Sequence, residues 1–493
     1  MPQRNSFNYL LLVAAAIVFL DGCTVGPKYQ RAAAPVPAKW DVAEPWREGV
    51  PKDALPKGEW WGVFHDEALD ALEKDALSTN QTLQAASARY NQARALAALQ
   101  IATNFPTFGV APSAERQRLS GNRPQIGSTA VVRPVTQNNF TLPFTVSYEA
   151  DLFGQRRRSI EAAQASYQAS AAELENVRLV ITAELAGDYF TLRQLDTQLG
   201  ILNRTVETLE RGLELVNSRH QGGLASGLDV AEEETLLQTT RTQATLLLQQ
   251  RKNFEDAIAV LVGKPAPGFH MPNRELDTEP PPLDPGLPSD LLERRPDIAE
   301  AERRMAVANA QIGIAKSAYY PSLNLFGSGG WQAADVAKLA NVASTFWAVG
   351  ANVAEAIFTG GTRRAQMEFA RAGYDGSVAD YRQTVLTALQ EVQDDVTGLT
   401  VLEQARNTQQ LALDAARRTL DISTDRYKGG LVSYLDVVTA QQNVLNNEQE
   451  AAVIQGQRLV TSVLLIKALG GGWDAASLAA VQVKTKPKDI VAP

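Results

Sequence analysis

A twelve-residue segment occurs twice in this chain, 207 positions apart (426 − 219 = 207). Arg219-His220-Gln221-Gly222-Gly223-Leu224-Ala225-Ser226-Gly227-Leu228-Asp229-Val230 returns as Arg426-Tyr427-Lys428-Gly429-Gly430-Leu431-Val432-Ser433-Tyr434-Leu435-Asp436-Val437, identical at eight of twelve positions. Each copy lies between two long helical patterns. The chain therefore reads as a tandem duplication of one helix-hairpin unit.

Proline placement draws the rest of the map. None of the 24 prolines falls in 144–264 or 322–486. Proline is excluded from helix interiors by its missing N–H and its ring clash. Two proline-free blocks rich in Ala, Leu, Gln, Glu and Arg read as long helices. Leu195, Leu199, Leu202, Val206, Leu209, Leu213 and Val216 form a heptad-like seam in the first. Tyr374, Val378, Tyr381, Val385, Leu389, Val392, Val396 and Leu399 do so in the second. Such spacing packs helices side by side. A helix over about 156–219 would be about 95 Å long at 1.5 Å per residue, which makes the molecule a rod or tube.

Strand-like stretches precede each long helix. Residues 140–149 alternate apolar with small or polar side chains, and 347–353 repeat the pattern. Weaker partners lie near 107–117 and 322–331, across polar loops at about 118–138 and 332–344. Ten alternating residues suit a strand tilted across a bilayer. Four strands cannot close a barrel, and lipid tolerates no open edge. Two copies would give eight strands, and three would give twelve with room for a lumen.

Arg4 followed by the apolar run 9–20 reads as a signal peptide. Leu20-Asp21-Gly22-Cys23 resembles a bacterial lipobox, which would make Cys23, the only cysteine, a lipidation site. The segments expected are a signal peptide (1–22), an extended lipid-anchored segment (23–59), a first repeat (60–264), a Pro-rich equatorial linker (265–296), a second repeat (297–472) and a C-terminal equatorial tail (473–493).

Several motifs in order resemble the outer membrane factor (TolC-like) family, in its NodT-like efflux lipoprotein branch. They are Cys23-Thr24-Val25-Gly26-Pro27-Lys28-Tyr29, Trp60-Trp61 with Phe64, Asp66 and Leu69, and Leu291-Leu292-Glu293-Arg294-Arg295-Pro296-Asp297-Ile298. Ala310-Gln311-Ile312-Gly313, Tyr320-Pro321-Ser322-Leu323 and Leu469-Gly470-Gly471-Gly472-Trp473 complete the set. The resemblance implies a mainly α fold with a transmembrane β part. It also implies a homotrimer with a long α-helical barrel below a twelve-stranded β-barrel in the outer membrane. Its partners would be a periplasmic membrane-fusion adaptor protein and an inner-membrane efflux pump. The duct would be passive, carrying drugs or toxic small molecules. A type I protein secretion role keeps the same fold, and a lipid-anchored coiled-coil tether without a pore is a further alternative.

The repeated segments are the candidate site. Gly222-Gly223 and Gly429-Gly430 suit the left-handed backbone that ends a helix. Ser226 with Asp229, and Ser433 with Asp436, fit capping boxes. The family resemblance adds roles to the same residues. Gly222, Gly223, Leu224, Gly429, Gly430 and Leu431 would dock the adaptor. Asp436 would line a constriction, with Thr439 where a second acid is common. Asp229 and Tyr427 would latch the tip. Arg156, Arg157, Arg158, Arg363 and Arg364 read as solvated arginines on helix faces, with a place at the inner-leaflet headgroups as the alternative.

A net charge of −8 and a pI of about 5.3 argue against a nucleic-acid partner. His65, His220 and His270 lack metal-ligand spacing. No phosphate loop, nucleophile elbow or HExxH motif is present, so an enzyme is not expected and no cofactor beyond the lipid on Cys23 is implied.

Overall fold

The computed structural model describes residues 24–37, 39–40, 58–122, 134–283, 288–473, 478 and 481. The signal peptide, Cys23 and most of the C-terminal tail lie outside them. The first half comprises α1 (Glu67–Thr79), α2 (Gln81–Ala102), β1 (Thr107–Val110), β2 (Ser113–Leu119), β3 (Val135–Ala150), α3 (Gln155–Gln221) and α4 (Gly227–Leu261). The second comprises α5 (Leu291–Arg294), α6 (Pro296–Ser317), β4 (Ser322–Ala333), β5 (Thr345–Ala354), α7 (Thr362–Lys428) and α8 (Tyr434–Ala468).

The duplication extends well beyond the twelve-residue segment. Helices α3 and α7 both have 67 residues, and α4 and α8 both have 35. At 1.5 Å per residue, α3 and α7 are about 100 Å long. Towards the sheet the helices lie in the order α2, α3, α6, α7; towards the turns the order is α4, α3, α8, α7. The seams lie inward: Leu195, Leu199, Leu202, Leu209 and Val216 are buried on α3, as are Tyr381, Val385, Val392 and Val396 on α7.

All the described strands form one antiparallel sheet. β1 and β2 lie end to end along the same edge of β3, which pairs with β4, which pairs with β5. Ala111 N–H donates to Pro143 O at 3.4 Å. Pro143 has no N–H to return, so the ladder breaks there, between β1 and β2. Cross-strand partners point to the same side of a sheet. Val146, Gly327 and Val349 are in register, as are Phe144, Gly329 and Trp347, and Tyr148, Leu325 and Ala351. One face is therefore continuously apolar, while Thr145, Ser147, Asn324, Ser328 and Asn352 line the other, together with Phe326 and Phe346. The apolar face is bare: Trp347 is 78% exposed and Val349 75%. Both outer edges, β1/β2 and β5, are unpaired among the described residues. No helix among them is long and apolar enough to cross a membrane.

The middle of the molecule holds a large buried aromatic cluster. Trp60, Trp61, Phe64 and Leu69 bury against Tyr189 and Phe190 of α3. Beside them, Asp196 accepts from Arg193 at 2.8 Å and Arg251 at 2.6 Å. The same two arginines donate to Pro272 O and Met271 O, so buried charge holds the linker against α3 and α4. The Arg-Arg-Pro-Asp-Ile motif works alike in the second half. Buried Arg295 donates to Asp297, Glu391 of α7 and Ala468 O of α8, and Pro296 opens α6.

The expectation of solvated arginines holds for Arg364, whose side chain is 85% exposed, and fails for Arg158. Arg156 pairs with Glu149 at 3.0 Å, Arg157 with Asp151 at 3.1 Å and Arg363 with Glu355 at 2.9 Å. Arg364 pairs with Glu368 at 2.9 Å on an exposed surface. Arg158 is buried and donates to Pro27 O at 2.9 Å, because the N-terminal segment lies over it. That segment starts at the sheet end of α3, where Val25 N–H donates to Phe153 O. It runs towards the middle, where Arg31 donates to Tyr381 Oη and Leu292 O.

Candidate functional site

The two repeated segments fold as two α-hairpin turns at the end remote from the sheet. Gly222 and Gly429 keep right-handed helical angles (φ −80° and −79°). Only Gly223 and Gly430 are left-handed (φ +74° and +72°), which narrows the sequence expectation to one glycine of each pair. Leu224 N–H donates to Arg219 O and Gly223 N–H to His220 O. Leu431 and Gly430 do the same to Arg426 O and Tyr427 O. This is the Schellman ending, which usually packs its last apolar residue back onto the helix. Here Leu224 and Leu431 instead stand 74% and 72% exposed. Both leucines are thus held outward from their turns.

Both serine–aspartate pairs close as capping boxes. Asp229 accepts from Ser226 N–H at 3.1 Å and Oγ at 2.9 Å. Asp436 accepts from Ser433 N–H at 3.0 Å and Oγ at 2.7 Å. Asp436 and Thr439 remain exposed, so capping leaves the Asp436 carboxylate open to solvent.

Tyr427 does not reach Asp229 within the chain. Its hydroxyl is buried without a hydrogen-bond partner among the described residues. The ring packs on Tyr434, with centres 4.9 Å apart, and the Arg219 guanidinium lies 5.1 Å from its centre. Burial raises the Tyr427 hydroxyl pKa; Arg219 opposes this and Asp229 adds to it.

Sequence reasoning missed Arg219, Tyr434 and Glu233. Glu233, on α4, is fully buried, and a Cβ at Gly212 of α3 would overlap its Oε1. Burial pushes its carboxyl above the ordinary value, with Tyr434 of α8 opposing. These residues join the two hairpins: Arg219 and Glu233 come from the first, Tyr427 and Tyr434 from the second. The signal for the tyrosines was the departure from repeat symmetry. Tyr427 stands where the first copy has His220, and Tyr434 where it has Gly227. In the first copy His220 Nδ1 instead meets Ala225 O at 2.9 Å, within its own turn.

The arrangement is a pair of rigid turns bearing outward leucines and an exposed acid, clasped by an aromatic–cation cluster.

Comparison with known proteins agrees with this geometry. The outer membrane efflux protein family model matches residues 72–264 and 287–471. The chain is 31% identical over 474 residues to the pyoverdine export outer membrane protein OpmQ of Pseudomonas aeruginosa, covering 95% of this chain and 98% of that one. It is 31% identical over 472 residues to the toluene efflux pump outer membrane protein TtgF of Pseudomonas putida, covering 94% and 97%. The solved outer-membrane channel OprN superposes with a TM-score of 0.83 at 28% identity, over 92% of this chain and all of that one. The resemblance read from the motifs is thereby upheld. With two matched halves and full-length relatives, this chain belongs to the outer membrane efflux protein family, the outer-membrane channel components of efflux pumps.

Proposed function

We propose that three copies of this chain close one twelve-stranded barrel and one helical tube, forming a passive exit duct for small toxic molecules. The observation that carries this reading is the four-position sheet, apolar on one face and polar on the other, with both edges open. In lipid every backbone group needs a partner, and a second copy's β1/β2 edge is what β5 lacks. Twelve strands leave room for a lumen lined by the polar face.

The tip turns complete the scheme. Leu224 and Leu431, with Gly222, Gly223, Gly429 and Gly430, dock a periplasmic adaptor that couples the duct to an inner-membrane pump. Asp436 from three chains forms an acidic ring that concentrates cations. The clasp at Tyr427, with Asp229 beside it, holds the tip closed. Lipidation of Cys23 fits the path of the N-terminal segment. Thr24 packs against Gly154, where α3 leaves the sheet, which supports an anchor on the sheet side of the molecule. The named cargoes of two relatives, pyoverdine and toluene, support small molecules.

Single-channel recording in planar bilayers tests the pore, with discrete conductance steps expected; a silent bilayer would favour a pore-free tether. Dye accumulation in cells lacking the gene tests the cargo. Retained dye is expected, whereas normal dye efflux with loss of a secreted protein would assign the chain to type I secretion.

A further inference from the structure

We propose that the crevice between α6 and α7, directly below the sheet, binds the phosphate headgroup of an anionic phospholipid in the inner leaflet of the outer membrane. The site lies beyond the efflux reading but rests on the proposed placement of the sheet in the outer membrane, which sets its depth.

The crevice has a volume of about 960 Å³. Its walls carry Lys316 and the Tyr319-Tyr320 pair from the end of α6, and Arg364, Met367 and Arg371 from the first turns of α7. Gly26 and Pro27 form a third wall, three and four residues after Cys23. Its depth is fixed by the chain itself. β4 begins at Ser322, two residues after Tyr320, and α7 begins eight residues after β5 ends at Ala354. The Tyr320 ring stacks on Phe153 with centres 4.6 Å apart, and Phe153 O accepts from Val25 N–H. Tyrosines at this level mark a membrane–water boundary.

The charge of the crevice is uncompensated. Arg364 is matched by Glu368, which also lines the crevice. Lys316 and Arg371 have no ion-pair or hydrogen-bond partner among the described residues. Two free cations facing one cavity at headgroup depth attract anionic lipid, and a guanidinium beside an ammonium suits a phosphate. Ile312 and Met367 add apolar wall, which a glycerol backbone and first methylenes can cover and a free phosphate ion cannot. That wall decides for a lipid over a soluble anion.

The test uses full-length protein, delipidated in detergent and examined by native mass spectrometry. Covalent lipid is separated from bound lipid by its persistence on denaturation. Phosphatidylglycerol and phosphatidylcholine of equal chain length are the probes, with inorganic phosphate as a third. The wild type is expected to retain phosphatidylglycerol at one per chain, at least about tenfold over phosphatidylcholine. The Lys316→Gln/Arg371→Gln variant is expected to lose that preference. Arg204→Gln/Arg241→Gln, which removes two exposed arginines far from the crevice, should keep it. Equal retention in the crevice variant, or no headgroup preference in the wild type, would overturn the proposal. Displacement of the lipid by equimolar inorganic phosphate would also overturn it, in favour of a free-anion site. If the crevice variant does not assemble, salt decides on wild type alone: a preference that survives unchanged from low to high salt contradicts a headgroup held by these two cations.

Discussion

Arg219, near the end of α3, holds its guanidinium 5.1 Å from the ring centre of Tyr427, near the end of α7. The contact joins the two hairpin turns, and so joins the two halves of the duplication at the end furthest from the sheet. A cation–π pair at a half-exposed site is worth about 0.5–1 kcal/mol. That is a two- to fivefold bias on an open–closed balance in each chain. Tyr427→Ala is expected to raise the open probability of the isolated channel by that order. Tyr427→Phe, which keeps the ring and removes a hydroxyl without an intrachain partner, should leave it near wild type. Single-channel recording checks both. An opened Tyr427→Phe channel would show instead that the hydroxyl is engaged across chains, as a latch to Asp229 requires.

The exposed leucines separate docking from folding. Leu224→Asp with Leu431→Asp should abolish efflux while assembly stays intact, because neither side chain is packed. Gly223→Glu and Gly430→Glu should behave similarly at a somewhat greater cost in stability. A Cβ at either position meets nothing within 4 Å, leaving only the backbone penalty of about 1 kcal/mol for a left-handed residue. Drug susceptibility and semi-native electrophoresis read the two effects separately. Full efflux by the leucine variant would place the adaptor elsewhere.

Glu233 gives the hairpin junction a pH dependence of definite sign. Burial raises its native pKa above the ordinary 4.5, with Tyr434 opposing. A raised carboxyl binds its proton more tightly folded than unfolded. Its stabilisation is complete below about pH 4.5 and is lost as pH rises through the native value. Glu233→Gln is therefore expected to stabilise the protein by about 1 kcal/mol at pH 8, with the gain vanishing near pH 4.5. Thermal melts at the two pH values check this. A gain independent of pH would mean that folding does not raise the Glu233 pKa.

Arg295 is the most exacting residue of its motif. Arg295→Ala would strip the bonds to Asp297, Glu391 and Ala468 O. Breaking a buried charged network costs about 3–5 kcal/mol. Poor yield and a lowered melting temperature are expected, with conductance unchanged in whatever protein assembles. A variant of normal stability would contradict the role of this arginine in joining α6 to α7 and α8.

The helices and strands were legible because their signals are long-range in sequence. Proline exclusion and a seam from Leu195 to Val216 report one face of one helix, and alternation over 140–149 reports one face of one sheet. The capping boxes at Ser226–Asp229 and Ser433–Asp436 were legible because they are local. What escaped was contact between elements distant in sequence. Nothing near Arg158 announces that residues 25–27 will lie over it, so a buried anchor read as a solvated arginine. Nor does Glu233, in a run of acids, announce that Gly212 leaves a hollow for it. The arginine–tyrosine clasp needed both copies of the repeat to be folded against each other before its members met.

The most direct test is the number of chains in the detergent-extracted particle, by light scattering with negative-stain imaging. Three chains in a hollow cylinder well over 100 Å long are predicted, with every sheet edge paired. A monomer would leave the β5 and β1/β2 edges without partners in lipid, and a solid dimeric rod would close at most eight strands around a filled interior; either would contradict the channel.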